Sequence, residues 1–169
     1  MTAAVGAIGA LHDESVAPVR RASLYTPAER TRRDSSRWTL VQGILAPIQF
    51  AIFAVSLILV VRFLISGDGV IAATISVVVK TAALYAIMVT GAIWEKDVFG
   101  RYLFAPAFYW EDMFSMVVIG LHTAYLAALL LDLGSDRQRL LLALAAYATY
   151  VINAGQFLLK LRAARLDVA

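Results

Sequence analysis

Residues 38–94 read WTLVQGILAPIQFAIFAVSLILVVRFLI, then SGDG, then VIAATISVVVKTAALYAIMVTGAIW. The two apolar runs, residues 38–65 and 70–94, each exceed the about 20 mostly apolar residues that a helix needs to cross a lipid bilayer. The polar, glycine-containing residues 66–69 between them are typical of a tight connection. This stretch therefore predicts a hairpin of two antiparallel membrane-spanning helices.

Two further apolar runs, residues 113–131 and 140–159, complete a predicted bundle of four helices. The composition agrees, because 61% of the 169 residues are hydrophobic and only 16% are charged, whereas soluble domains have about 25% charged residues. We therefore expect an all-α, polytopic integral membrane protein with a four-transmembrane-helix bundle. Residues 38–169 are its predicted membrane domain, and residues 1–37 are a predicted basic, flexible cytoplasmic tail.

The basic residues near the helix ends predict how the bundle is oriented. One predicted side has nine of them and the other three: Arg30, Arg32, Arg33, Arg37, Lys96, Arg101, Lys160, Arg162 and Arg165 against Arg62, Arg137 and Arg139. Because lysine and arginine are enriched in cytoplasmic segments, both termini are expected in the cytoplasm. A net charge of +3 concentrated at helix ends does not favour nucleic-acid binding. The absence of cysteine excludes disulfides and thiolate metal sites.

Polar residues follow one stripe of each predicted helix, since a helix turns by about 100° per residue. They are Gln42 and Gln49 on the first helix, Ser76, Lys80 and Glu95 on the second, Glu111, Ser115, His122 and Tyr125 on the third, and Thr149, Asn153, Gln156 and Lys160 on the fourth. Ionisable groups within the bilayer are costly unless they face the bundle interior. We predict a polar cleft that opens at the cytoplasmic interface and is closed by Lys80 and His122.

The segment between the second and third helices, residues 94–114, reads WEKDVFGRYLFAPAFYWEDMF and combines aromatic residues with four carboxylates. The aromatic residues of this segment and the polar residues of the stripes also have purely structural explanations. The aromatic residues suit a membrane-interface belt, and Lys80 suits a structural ion pair or a side chain that reaches toward the interface. His122, Asn153 and Gln156 suit hydrogen bonds between helices. A belt alone does not explain the carboxylates.

Four long strings carry a resemblance to a known family: TPAERTRRDSSRWTLVQGILAPIQF (26–50), VVKTAALYAIMVTGAIWEKDVFGRYLFAPAFYWEDMFSM (78–116), LHTAYL (121–126) and AAYATYVINAGQFLLKLRAARL (145–166). They resemble the 2-vinyl bacteriochlorophyllide hydratases, also called chlorophyllide a 3-vinyl hydratases. The resemblance implies a lyase of bacteriochlorophyll biosynthesis that hydrates the C3 vinyl group of a magnesium chlorin or bacteriochlorin to a 1-hydroxyethyl group. It implies no cofactor, because the magnesium belongs to the substrate. It also implies a multi-pass protein of the cytoplasmic or photosynthetic membrane of a phototrophic bacterium.

Hydration of a vinyl group conjugated to a macrocycle requires an acid, a base that orients water, and tolerance of transient positive charge. Glu111 and Asp112, with Glu95 across the loop, are the catalytic candidates. Glu111 is expected to be the acid because it shares a stripe with His122, although the reverse order remains open. The substrate-binding candidates are Lys80, His122, Arg101, Trp110, Tyr125, Asn153 and Gln156.

Each substrate-binding candidate has an expected contact. Arg101, Lys96 and Lys80 are alternative candidates to pair with the free propionate of the substrate, and Trp110 offers a stacking face. His122 is a possible axial contact to the substrate magnesium; no metal site of the protein itself is expected. Tyr125, Asn153 and Gln156 are candidates to hold water or the ring keto groups.

Two rival functions remain at this stage. One is a non-catalytic pigment-binding or assembly protein, in which His122 holds a pigment. The other is a proton or ion carrier built on Lys80 and the carboxylates, although a four-helix unit without internal repeats is unlike known carriers. The expected partners are the magnesium tetrapyrrole, the lipid bilayer and, as a further option, neighbouring enzymes of bacteriochlorophyll synthesis.

Overall fold

A computed structural model describes residues 24–166 of the chain, with side chains described as far as Arg162. Within this range it contains five helices: α1 (Pro27–Ser35), α2 (Arg37–Ser66), α3 (Val70–Phe99), α4 (Tyr109–Leu130) and α5 (Asp136–Leu166). α2 to α5 are each long and apolar enough to cross a membrane. The prediction of an all-α membrane protein with four spanning helices is confirmed. The cytoplasmic location of both termini stays a prediction.

The turn between α2 and α3 relies on two glycines in the left-handed region. Gly67 has a φ of 80° and Gly69 a φ of 83°, a conformation that glycine adopts without the steric penalty that a Cβ atom brings. The backbone N–H of Gly67 donates to the Phe63 carbonyl and closes α2. The chain can therefore reverse within the predicted residues 66–69 and bring α3 back along α2.

α1 lies within the segment that was predicted to be a tail. Thr26 and Glu29 form a capping box, in which each side chain accepts the backbone N–H of the other residue, and Pro27 occupies the first turn. These features satisfy the free N–H groups at the start of a short helix. Ser36 then caps α2 directly. Residues 1–23 lie outside the described part of the chain, so flexibility of the tail stays a prediction there.

The four long helices pack as two antiparallel hairpins. α2 packs mainly against α3, and α4 mainly against α5, whereas α3 touches α4 and α5 only sparsely. A shared apolar core of Phe53, Val60, Val77, Val118 and Tyr147 joins the hairpins. The outer faces carry exposed apolar side chains such as Ile65, Ile71 and Leu130, as expected of surfaces that face lipid.

An aromatic cluster closes the bundle at the end that carries the α3–α4 loop. Tyr25 stacks on Phe99 with ring centroids 5.8 Å apart, and Phe108 stacks on Phe157 at 5.8 Å. The indole ring of Trp94 contacts Phe108 edge to face. Tyr25 is thus buried against the α3–α4 loop, which fixes the chain just before α1 over this end of the bundle.

Candidate active site

The innermost carboxyl groups of the α3–α4 loop form a pair. Glu95 lies in the last turns of α3 and Asp112 in the first turn of α4, and their carboxyl groups are neighbours that interact electrostatically. Only 5% of Glu95 and 3% of Asp112 are exposed. Two neighbouring buried carboxylates would repel each other, so one of the two groups is expected to carry a proton. The sequence-based prediction that Glu95 lies across the loop from Asp112 agrees with this geometry.

The same pair holds the α3–α4 loop in shape. Asp112 Oδ2 accepts the backbone N–H of Phe104 at 2.7 Å, and Glu95 Oε2 accepts that of Ala105 at 3.2 Å. Phe104 has a φ of 60°, which is unusual for a bulky residue and costs about 1–3 kcal/mol. Its hydrogen bond to Asp112 helps to maintain this conformation. The carboxyl pair therefore has one structural duty, whatever its chemistry.

The third candidate acid, Glu111, has a different partner. Its Oε2 atom lies 2.6 Å from the Lys160 ammonium of α5. Lys160 also donates to the Ala107 carbonyl of the loop and lies 5.1 Å from the centre of the Phe108 ring. Lys160 was not among the predicted site residues, although it lay on the polar stripe of the fourth helix. Its position on that stripe, four residues after Gln156, was the sequence signal that Lys160 lies in the site.

A second polar layer follows one turn deeper. The Asn153 side-chain amide donates to Ser115 Oγ at 2.8 Å and joins α5 to α4. The side-chain carbonyl oxygens of Asn153 and Gln156 are buried and have no hydrogen-bond partner among the described residues. The hydrogen bond to Ser115 agrees with the structural explanation of Asn153. The two free oxygens leave acceptor capacity close to the carboxyl groups.

Lys80 and His122 lie deeper than the Asn153 layer, and both side chains are 0% exposed. The Lys80 ammonium lies 3.8 Å from the centre of the Tyr150 ring. His122 Nδ1 lies 2.8 Å from the Val118 carbonyl. Since a carbonyl only accepts, Nδ1 carries a hydrogen, and in the neutral ring Nε2 is then the free acceptor. Lys80 Nζ and His122 Nε2 have no hydrogen-bond partner within residues 24–162.

The remaining candidates are dispersed. Arg101 is exposed on the α3–α4 loop, and Trp110 is 68% exposed at the start of α4. Tyr125 is buried near the opposite end of α4; its hydroxyl approaches Thr74 without forming a hydrogen bond of normal geometry. The structure therefore brings the three carboxyl groups together with Lys160, and places Lys80 with His122. It does not bring Arg101 or Trp110 into the interior.

The open cleft that the stripes predicted is not formed by the described residues in this conformation. The side chains that should line it are buried: Glu95, Glu111, Asp112, Lys80, His122 and Asn153. A surface depression does occur near the α1–α2 junction, and it is lined by Ser35, Ser36, Arg37, Trp38, Val41 and Asp97. None of the candidate residues lines this depression, so the buried polar groups rather than the depression define the candidate site.

Comparison with known proteins identifies the family. The family model for 2-vinyl bacteriochlorophyllide hydratase matches residues 25–163. The chain belongs to this family. The matched region covers α1 to α4, all but the last three residues of α5, and the aromatic cluster around Tyr25. The resemblance noted from the sequence is thereby confirmed.

Two relatives of the hydratase family support the same conclusion. The 2-vinyl bacteriochlorophyllide hydratase of Rhodobacter capsulatus is 67% identical over 149 residues, which are 88% of this chain and 86% of the relative. That of Cereibacter sphaeroides is 66% identical over 152 residues, which are 90% of this chain and 93% of the relative. No solved structure matches the chain.

Proposed function

We propose that this chain is a hydro-lyase that adds water to the C3 vinyl group of chlorophyllide a or 3-vinyl bacteriochlorophyllide a in bacteriochlorophyll biosynthesis. The observation that carries this function is the family match over residues 25–163. The product is the 3-(1-hydroxyethyl) derivative. One proton is added to the terminal vinyl carbon and one hydroxyl group to the inner carbon, so no electrons are exchanged with a cofactor.

The Glu95–Asp112 pair supplies the proton in this proposal. Its buried carboxyl–carboxyl contact holds one acidic proton in a site of low water content. Transfer of that proton to the terminal carbon leaves a cation that is delocalised into the macrocycle. The pair then becomes more negative as the cation forms, which stabilises the transition state electrostatically. Water adds to the inner carbon and returns one proton to the pair, so that the acid is regenerated.

Glu111 serves a different role in this scheme. Its ion pair with Lys160 favours a fixed carboxylate over the proton donor that its sequence position suggested. A fixed negative charge beside the reacting carbon stabilises the cation, and its second oxygen atom is an acceptor for the attacking water. Asn153 and Gln156 contribute two more free carbonyl oxygens, one to two turns deeper. These three residues together orient the water.

The substrate contacts follow from the exposure of each side chain. Arg101 is exposed on the loop, where it can attract the acidic substrate at first encounter, and Trp110 presents an exposed flat face at the start of α4. Lys80, His122 and Tyr125 are enclosed, so they reach the macrocycle only if helices move apart. His122 Nε2 is the candidate contact to the substrate magnesium. The loop faces the cytoplasmic side of the cytoplasmic or photosynthetic membrane, in keeping with the distribution of basic residues.

Incubation of the purified protein with each vinyl pigment tests this function. The expected product is heavier than the substrate by one water molecule, which mass spectrometry detects, and use of ¹⁸O-labelled water should place the label in the new hydroxyl group. Retention of unchanged pigment with no hydroxyethyl product from either substrate would instead favour the pigment-binding alternative.

A further inference from the structure

The boundary between the two helix hairpins runs between α3 and α4. These helices are consecutive in the chain and are joined by the loop that the carboxyl pair holds, yet they pack against each other only sparsely. Each is tied firmly to its other neighbour, α3 to α2 and α4 to α5. We use "α3–α4 seam" for this boundary, from the Glu95–Asp112 pair to the level of Lys80 and His122. An opening confined to the seam would leave the contacts of α2 with α5, which join the hairpins on the other side of the bundle.

The outer side of the seam is closed by a hydrogen bond between α3 and α4. The Tyr85 hydroxyl of α3 lies 2.7 Å from Thr123 Oγ1 of α4, and this hydrogen bond is exposed. The Thr123 hydroxyl also lies 2.8 Å from the Ile119 carbonyl of its own helix, so Thr123 keeps a partner when the contact to Tyr85 breaks. Hydrogen bonds between membrane helices contribute only about 0.6 kcal/mol on average. This contact is therefore easily opened.

Behind this contact the seam contains two polar groups with unused bonding capacity. Lys80 comes from α3 and His122 from α4, and both contact tyrosines of α5: Lys80 Nζ lies over the Tyr150 ring, and the His122 ring lies beside that of Tyr147. Both are fully buried, and neither Lys80 Nζ nor His122 Nε2 has a hydrogen-bond partner within residues 24–162. Leaving such groups unpartnered in an apolar interior costs about 1–3 kcal/mol each. A ligand that supplies a carboxylate and a Lewis-acidic metal would satisfy both.

We propose that the α3–α4 seam is the binding site of the substrate macrocycle, which enters from the side, between the two hairpins. This assignment rests on the proposed function and names the site at which it occurs. Lys80 Nζ pairs with the substrate propionate, and His122 Nε2 contacts the substrate magnesium. A flat, amphiphilic disc dissolved in the bilayer reaches the seam without passing through water.

The carboxyl pair lies at the loop end of this site. Asp112 and His122 lie ten residues apart on α4, about 15 Å along the helix axis at roughly 1.5 Å per residue. The distance from the centre of the macrocycle to its vinyl group is shorter than this separation, so the disc must shift along the seam from His122 toward the Glu95–Asp112 pair for proton transfer. The vinyl group lies at the edge of the macrocycle, whereas the magnesium lies at its centre. The acidic pair and the metal contact would thus serve opposite parts of one ligand.

The lack of cysteine permits a direct test by cross-linking. The double variant Tyr85→Cys with Thr123→Cys should be joined across the seam by a short bis(methanethiosulfonate) reagent, which forms one reducible disulfide with each cysteine and releases methanesulfinate. A matched control, Gln42→Cys with Thr90→Cys, replaces another interhelical hydrogen bond of 2.7 Å, but within the α2–α3 hairpin. Retention of 3-vinyl chlorophyllide a by the purified protein is measured by absorbance. We expect at least a tenfold loss of retained pigment in the cross-linked seam variant, recovery after reduction, and no change in the control.

Normal pigment retention by the cross-linked seam variant would overturn the seam assignment, even if turnover continued. If that variant fails to fold, Tyr85→Phe provides a second test, because it removes the exposed hydrogen bond and should speed pigment uptake severalfold; an unchanged uptake rate would equally contradict the seam. The two proposals can fail separately. If cross-linking lowers pigment retention but no hydroxyethyl product is found, the hydratase function is rejected and the seam remains a pigment-binding site.

Discussion

Glu95 and Asp112 contact each other across the α3–α4 loop, and each also accepts a backbone N–H group from that loop. One pair of carboxyl groups therefore holds the loop in shape and, in the proposed mechanism, also stores the proton that hydration requires. Because the pair has both duties, a test of its chemistry needs a substitution that leaves the loop folded. Amide replacements do so, because an amide oxygen still accepts the loop N–H groups while the acidic proton is lost.

Asp112→Asn and Glu95→Gln should each lower the hydration rate by about 10²–10⁴-fold, which is the usual contribution of a positioned general acid. Pigment retention should change little. Rates are measured by chromatography of the hydroxyethyl product. Asp97→Asn is the matched control, since Asp97 is an exposed carboxylate of the same segment. Full turnover by both amide variants would remove the pair from the mechanism.

Lys160→Met should destabilise the protein by about 1–3 kcal/mol, because it leaves Glu111 without its ion-pair partner in a mostly buried position. Thermal unfolding in detergent measures the change. Arg162→Met, which removes an exposed cation two residues away, is the control and should have little effect. Addition of Glu111→Gln to Lys160→Met should recover part of the loss, since the double variant no longer buries an unpaired charge. No recovery would mean that the Ala107 contact carries the stability.

Lys80→Met should leave the Tm unchanged or raise it, because an apolar side chain of similar size replaces a buried group that lacks a hydrogen-bond partner within the described residues. The same variant should retain several times less pigment than the unaltered protein. Absorbance of co-purified chlorophyllide and a thermal unfolding curve together provide the measurement. A large fall in Tm with normal pigment retention would instead assign Lys80 a structural role.

Tyr25→Ala should release α1 from the end of the bundle, because Tyr25 is buried against Phe99 and Phe108. Trypsin should then cleave faster at Arg30, Arg32 and Arg33, which follow directly. Tyr25→Phe keeps the stacked ring and is the control. Equal cleavage rates for the two variants would show that the aromatic cluster does not hold α1.

The fold was largely predictable because membrane helices obey local rules. Length and hydropathy predict the four spans, and the residues of the SGDG turn predict where the first hairpin reverses. The stripes were predictable for the same reason. Glu111, Ser115, His122 and Tyr125 share one face of α4 by helical spacing alone, and all four are buried. α1 was not predicted, because the basic composition of residues 1–37 indicated a flexible tail despite the capping box at Thr26 and Glu29.

Helical spacing determines which side chains share a face, but it does not determine which faces meet. The sequence by itself established the family, the membrane class, the polar stripes and the unusual carboxylates of residues 94–114. Only the tertiary structure paired Glu95 with Asp112, Glu111 with Lys160, and Asn153 with Ser115. It also replaced the expected open cleft with a closed seam, because helix rotation and neighbour choice depend on packing between segments far apart in the chain.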